Sequence, residues 1–137
     1  MYKVLVEKTV DLPRKKLFDL LVQFGGLEKI LPDLIASLEV TGSGIGALRT
    51  VKLKNGGTVV ERLDAAADDC FFVYTITQND AMPFTNYCAV VTLEDAGTKT
   101  LARWGSNWDA NGASEAEIKP MLTQLYGDLL DGLAKMG

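Results

Sequence analysis

The sequence predicts an α+β domain: one strand, two short helices, a meander of six strands and a long C-terminal helix. Three observations carry this. Ile118, Leu122, Leu125, Leu129, Leu133 and Met136 recur at spacings of four and three, one stripe of a helix at roughly 100° per residue. The stretch from Leu34 to Asp109 alternates with period two between clusters of turn residues, as strands do. An earlier helical pattern, Leu17 to Leu31, is cut by Gly25-Gly26 and stopped by Pro32.

Composition narrows the classes. A chain of 137 residues, 47% apolar and 23% charged, fits one globular domain with a real core. The net charge of −4 argues against nucleic acid as a partner, because phosphate binding needs a basic surface. No apolar run approaches the ~20 residues of a membrane span, and no cationic segment leads into an apolar core, so no signal peptide is expected. Cys70 and Cys88 read as free thiols in a reducing compartment, and the expected location is cytoplasmic. There is no histidine. Its absence removes the usual general base, the Ser–His and Cys–His nucleophile pairs and every His-containing metal site. Two cysteines at this spacing make no zinc site. No metal and no cofactor is expected, and any catalysis falls to carboxylates, Tyr, Lys, Arg or bound water.

The elements follow in order. Tyr2 to Val10 is rich in Val and reads as a strand. Asp11 suits a helix cap and Pro13 an early helical position, ahead of Leu17, Phe18, Leu20, Leu21 and Phe24. Leu27 to Leu31 adds a further turn, so the two helices form a V. Leu34 to Thr41 reads as a second strand, although the spacing of Leu34, Ile35 and Leu38 also suits a helix. Gly42-Ser43-Gly44-Ile45-Gly46 is a turn and not a phosphate loop, because a strand follows it instead of a helix.

Ala47 to Ala65 is a hairpin around Asn55-Gly56-Gly57. A three-residue loop pairs Lys54 with Thr58 and sets Val51 opposite Glu61. Ala47, Arg49, Val51, Leu53, Val59, Glu61, Leu63 and Ala65 then share one face, and Lys52, Lys54, Thr58, Arg62 and Asp64 the other. Arg49 and Glu61 thus sit on the apolar face, one diagonal apart, and buried charges are costly unless paired. Cys70 to Gln78 puts Phe72, Tyr74 and Ile76 on one face. Phe84 to Glu94 puts Tyr87, Ala89, Val91 and Leu93 on one face, and Thr98 to Asp109 does the same with Ala102, Trp104, Ser106 and Trp108. The last helix opens with Ser114 and Glu117 at capping-box spacing. Its apolar stripe has Met121, Tyr126 and Leu130 at the margins. Pro120 marks a kink or a later true start, and Gly132 lies on the inner side.

The segments Asp11–Pro32 (DLPRKKLFDLLVQFGGLEKILP), Gly42–Asp64 (GSGIGALRTVKLKNGGTVVERLD), Tyr74–Ile76, Pro83–Tyr87 (PFTNY) and Thr98–Asp109 (TKTLARWGSNWD) together resemble the SRPBCC superfamily, in its polyketide cyclase/dehydrase branch. Phe18 and Ile30 stand where members often carry tryptophan. The resemblance covers the whole chain. It implies a helix-grip fold of the START-like, birch-pollen-allergen-like kind, with a curved antiparallel sheet of about seven strands wrapped around the C-terminal helix. It also implies an internal cavity for a small hydrophobic molecule such as a lipid, a polyketide or an aromatic compound. The fold does not choose among its uses.

The sorted faces give that cavity a wall: Arg49, Val51, Glu61, Leu63, Phe72, Tyr74, Ile76, Tyr87, Val91, Trp104, Ser106 and Trp108. Met121, Leu122, Leu125, Leu129 and Gly132 of the last helix would close it. A mostly apolar wall with a few polar groups is the usual make-up of a small-molecule pocket. Arg49 and Glu61 have two readings, a structural pair or a ligand contact. Tyr74 and Tyr87 have two as well, core aromatics with a satisfied hydroxyl or catalytic groups, and Trp104 and Trp108 are core or ligand platform. Three functions follow. One is a carrier or sensor of an apolar ligand anchored by Arg49. The second is a cyclase or dehydratase, with Glu61 as acid/base and Arg49 with Tyr74 or Tyr87 polarising a carbonyl. The third is an assembly factor acting through its surface. Either a monomer or a homodimer would serve.

Overall fold

In a computed structural model describing Met1–Gly137, the elements are β1 (Val4–Val10), α1 (Arg14–Val22), α2 (Leu27–Ile30), β2 (Ile35–Thr41), β3 (Leu48–Leu53), β4 (Thr58–Ala67), β5 (Phe71–Asn79), β6 (Phe84–Ala96), β7 (Lys99–Ala110) and α3 (Glu115–Met136). All strands join one curved antiparallel sheet in the order β1-β7-β6-β5-β4-β3-β2. The meander from β2 to β7 therefore keeps chain order, and β1 returns to pair with β7, Val4 facing Ser106 and Val10 facing Thr100. The α+β architecture expected from the sequence is the one observed.

The concave face of the sheet buries Leu63, Phe72, Tyr74, Tyr87, Ala89, Val91, Ala102, Trp104 and Trp108 against Ile118, Leu122, Tyr126, Leu129, Leu130 and Leu133 of α3. The capping box is present. Glu117 N–H donates to Ser114 Oγ at 3.2 Å, and Ser114 N–H donates to Glu117 Oε1 at 3.2 Å. The helix runs as one element through Pro120 and neither restarts nor ends there. Tyr126 and Leu130, expected at the margin of the apolar stripe, are fully buried at 0% exposure, whereas Met121 is 38% exposed. The inward face of α3 is thus turned toward Tyr126, whose ring stacks on Trp104 at 5.2 Å and 13°. Such stacking adds about 0.5–1.5 kcal/mol beyond area burial, and it decides the helix rotation in favour of the aromatic residue.

Three local expectations are corrected. Asp11 does not cap α1: Pro13 holds the N-cap position with no side-chain bond, and Leu12 instead enters the core. Gly132 does not face Arg49. A Cβ there would lie 2.2 Å from Ile30 Cγ2, so its bareness lets α2 dock on α3. The β3–β4 loop is three residues long as expected, but it is Lys54-Asn55-Gly56. Leu53 N–H donates to the Gly57 carbonyl at 2.9 Å, Gly56 N–H donates to the Leu53 carbonyl at 3.0 Å, and Gly56 takes φ +95°. A turn of this type needs a left-handed residue in third place, and two adjacent glycines could each supply it. Gly57 is committed elsewhere, because a Cβ on it would lie 2.3 Å from Ala81 Cβ. The register moves by two residues, which preserves the faces but places Arg49 directly opposite Glu61 and Val51 opposite Val59.

A bulge supplies a further difference. Pairing between β6 and β7 skips from Thr85 to Cys88, with Asn86 at φ +54°. Phe84 and Tyr87, three residues apart, therefore both point inward and stack at 5.1 Å. Strict alternation from Tyr87 had left Phe84 outside the wall. Cys70 and Cys88 are free. No helix is long and apolar enough to cross a membrane.

Candidate functional site

The hairpin register builds the site from β3 and β4. Arg49 and Glu61 are 5% and 9% exposed, and Arg49 Nε and Nη2 both reach Glu61 Oε1 at 2.7 Å. Arg49 Nη1 donates to the Phe24 carbonyl at 3.4 Å, and the guanidinium lies over the Phe24 ring at 4.1 Å and the Tyr74 ring at 5.6 Å. Phe24 itself adopts φ +65°. Left-handed backbone at a bulky residue is an outlier that costs on the order of 1–3 kcal/mol, and it persists only where its surroundings hold it. Here the Phe24 ring packs edge-on to Phe72 at 5.8 Å and its carbonyl serves Arg49.

Beyond the ion pair runs a chain of hydroxyls. Trp104 Nε1–H donates to Tyr74 Oη at 3.2 Å, Tyr74 Oη and Tyr87 Oη lie 2.9 Å apart, Tyr87 Oη and Tyr126 Oη 2.5 Å, and Tyr126 Oη donates to Ser106 Oγ at 2.7 Å. Burial pushes the Tyr74 and Tyr87 phenols well above their ordinary range, reinforced by the neighbouring phenols and, at Tyr74, by Glu61. Burial raises Tyr126 likewise. All three are neutral phenols at physiological pH, able to donate or accept hydrogen bonds but not to act as tyrosinate bases.

Arg49, Glu61, Tyr74, Tyr87 and Trp104 sit at the floor of a cavity of about 70 Å³ between the sheet, α2 and α3, which Tyr126 and Ser106 do not line. Arg49, Val51, Glu61, Tyr74, Ile76, Tyr87, Trp104, Leu122, Leu125 and Leu129 line it, together with Leu27, Leu31, Leu34, Ile35, Leu53, Val59, Met82 and Phe84. Leu63, Phe72, Val91 and Trp108 face inward but pack into the core away from it, and Met121 lies outside. The mouth is formed by half-buried Leu27, Leu31, Leu34, Ile76, Met82 and Leu125. The contributions of α2 and of Met82 were missed. The sequence marks Leu27 and Leu31 only as a helical turn and Met82 only as part of a loop. The apolar spacing of Leu27, Leu31, Leu34 and Ile35 was the one signal that could have found them. No cluster of three acidic or cysteine side chains is placed to hold a metal ion.

A curved sheet clasping a long helix over an inward-facing cavity defines a helix-grip protein. The chain belongs to the family described as polyketide cyclase/dehydrase and lipid transport, whose model matches residues 1–136. No curated protein matches it. Among solved structures it is similar to Ara h 8.0201, at 20% identity and TM-score 0.81 over 96% of this chain and 94% of that one. It is similar to the protein XoxI from Bacillus cereus, at 21% identity and TM-score 0.76 over 97% and 93%. It is also similar to norcoclaurine synthase from Thalictrum flavum, at 14% identity and TM-score 0.77 over 97% and 91%. At these identities the likeness establishes the fold.

Proposed function

We propose that the protein binds a small hydrophobic molecule in the cavity between the sheet, α2 and α3. The observation that carries this reading is the gradient of the cavity: a half-exposed apolar mouth leading to a buried polar floor of Arg49, Glu61, Tyr74 and Tyr87. An interior built only for stability has little use for four polar side chains grouped at one end of an open apolar space. Family membership supports the reading, as does the norcoclaurine synthase structure in complex with dopamine and hydroxybenzaldehyde, two small aromatic compounds.

The cavity of about 70 Å³ is smaller than the ~300–1,000 Å³ typical of ligand pockets. Uptake therefore requires the mouth to open. The element best suited to move is α2, a four-residue helix without a side-chain cap, docked on α3 through Ile30 and Gly132. Titration with Nile red tests binding. Saturable one-to-one emission enhancement is expected, strongly reduced in Leu125→Asp with the circular dichroism of the fold unchanged. Enhancement that is absent, or that is identical in Leu125→Asp, rejects the cavity as the site.

A further inference from the structure

The hydroxyl chain has a direction, and the direction dictates which polar group a ligand must bring. Trp104 Nε1–H can only donate, so Tyr74 Oη accepts from it at 3.2 Å. At the other end Tyr126 Oη gives its single proton to Ser106 Oγ at 2.7 Å. The proton between Tyr87 and Tyr126 must then come from Tyr87, and the one between Tyr74 and Tyr87 from Tyr74. Each phenol has one proton, and every one of these is committed away from the cavity. What Tyr74 and Tyr87, which line the cavity, retain is a lone pair apiece. The Glu61 carboxylate beside them is likewise an acceptor; Arg49 turns Nε and Nη2 to Glu61 and one Nη1 proton to the Phe24 carbonyl, which leaves its two remaining N–H groups as the donors of the floor, apart from the hydroxyl chain.

On the reading that this cavity binds an apolar molecule, we infer that its ligand carries a hydrogen-bond donor, a hydroxyl or amine on an apolar or aromatic frame, and that Ser106 sets this preference from outside the cavity by fixing the direction of the Trp104–Tyr74–Tyr87–Tyr126–Ser106 chain. A ketone, aldehyde or ether of the same shape meets lone pair against lone pair at the tyrosine end and leaves polar atoms unpaired, which is the main source of discrimination in buried sites. Ser106 is a positioning residue. It is fully buried, does not line the cavity and serves as the terminal acceptor.

Removing that acceptor has a specific consequence. In Ser106→Ala the Tyr126 proton would be left buried without a partner if the direction persisted. Reversal lets Tyr126 donate to Tyr87 and Tyr87 to Tyr74, which frees the Tyr74 proton to point into the cavity. The tyrosine wall then changes from acceptor to donor through a substitution that touches no ligand.

The test is equilibrium dialysis of the whole chain with three probes of nearly equal shape: 2-naphthol, 2-methylnaphthalene and 2-naphthaldehyde. The wild type should bind 2-naphthol about tenfold more tightly than either of the others, the worth of roughly one hydrogen bond. In Ser106→Ala the preference should pass to 2-naphthaldehyde, and Tyr87→Phe, which breaks the chain and releases Tyr74, should move the same way. A purely structural role for Ser106 would lower all three affinities together and leave their ratio unchanged, and that result overturns the inference. So does wild-type binding of 2-naphthaldehyde as tight as that of 2-naphthol. If none of the three probes binds while Nile red still does, the inference falls and the binding reading stands; if Nile red fails as well, both fall.

Discussion

Arg49 and Glu61 stand directly opposite one another on β3 and β4, with two guanidinium nitrogens each 2.7 Å from the same carboxylate oxygen. Both side chains are nearly sealed from solvent, so the pair behaves as a unit. Removing one member leaves an uncompensated buried charge. Glu61→Gln or Arg49→Met should each lower stability by about 3–5 kcal/mol, whereas Arg49→Met/Glu61→Leu should match the wild type or exceed it by about 1–4 kcal/mol. Urea unfolding of the three variants checks this. If the single variants were as stable as the wild type, the pair would not be a coupled buried unit.

Gly132 and Ile30 form the contact between α3 and α2. Gly132→Ala should gain up to about 1 kcal/mol of helix propensity, but a Cβ only 2.2 Å from Ile30 Cγ2 demands a shift that costs about 1–3 kcal/mol. Net destabilisation is expected. The penalty should shrink when measured in an Ile30→Ala background, which removes the Cγ2 and Cγ1 contacts and leaves only the residue-30 Cβ at 3.0 Å. A double-mutant cycle by thermal unfolding reads the coupling, and additivity would remove the contact from the account.

At the start of α3, hydrogen bonds from Ser114 hold the Glu117 carboxyl below its ordinary value of 4.5. A carboxyl whose folded value is depressed contributes stability that is complete above its unfolded value and is lost as pH falls through the folded one. The melting temperature of the wild type should exceed that of Glu117→Gln at pH 7, and the difference should shrink below about pH 4.5. Ser114→Ala should cost about 1 kcal/mol at neutral pH. A Glu117→Gln difference that stays constant with pH would contradict the assignment.

Tyr74, Tyr87 and Tyr126 have folded-state values raised by burial. A phenol raised in the folded state favours folding below its unfolded value of about 10, and the advantage is lost as pH rises beyond it, because only the unfolded chain ionises. Stability should therefore fall steeply above about pH 10. Ultraviolet absorbance at 295 nm should show these three phenols ionising together with the loss of far-ultraviolet structure. Ionisation of all three in a still-folded chain would refute their burial.

Much of this organisation was readable in the residues. Alternation sorted Arg49, Glu61, Tyr74, Tyr87 and Trp104 onto one face correctly, because period two is insensitive to an even register shift. The same insensitivity hid the register itself: Gly56 and Gly57 both suit the turn, and only contact with Ala81 decides between them. Phe84 was invisible because the bulge at Asn86 breaks the alternation locally. The outward place of Met121 and the inward place of Tyr126 follow from stacking on Trp104, a tertiary contact that a helical wheel does not contain. The α2 mouth was lost for a similar reason. A single turn between glycine and proline carries too short a pattern to show which way Leu27 and Leu31 face.

In the proposed function, an apolar molecule enters through the mouth between α2, α3 and the β5–β6 loop and reaches the polar floor. The most direct measurement is a titration of ¹⁵N-labelled protein with 2-naphthol followed by amide chemical shifts. Saturating shifts are expected at Leu31, Ile76, Met82 and Leu125 around the mouth, and at Arg49 and Tyr87 on the floor. Shifts confined to the outer groove of Asp33, Asp131 and Lys135, or no saturating shifts at all, would contradict the account.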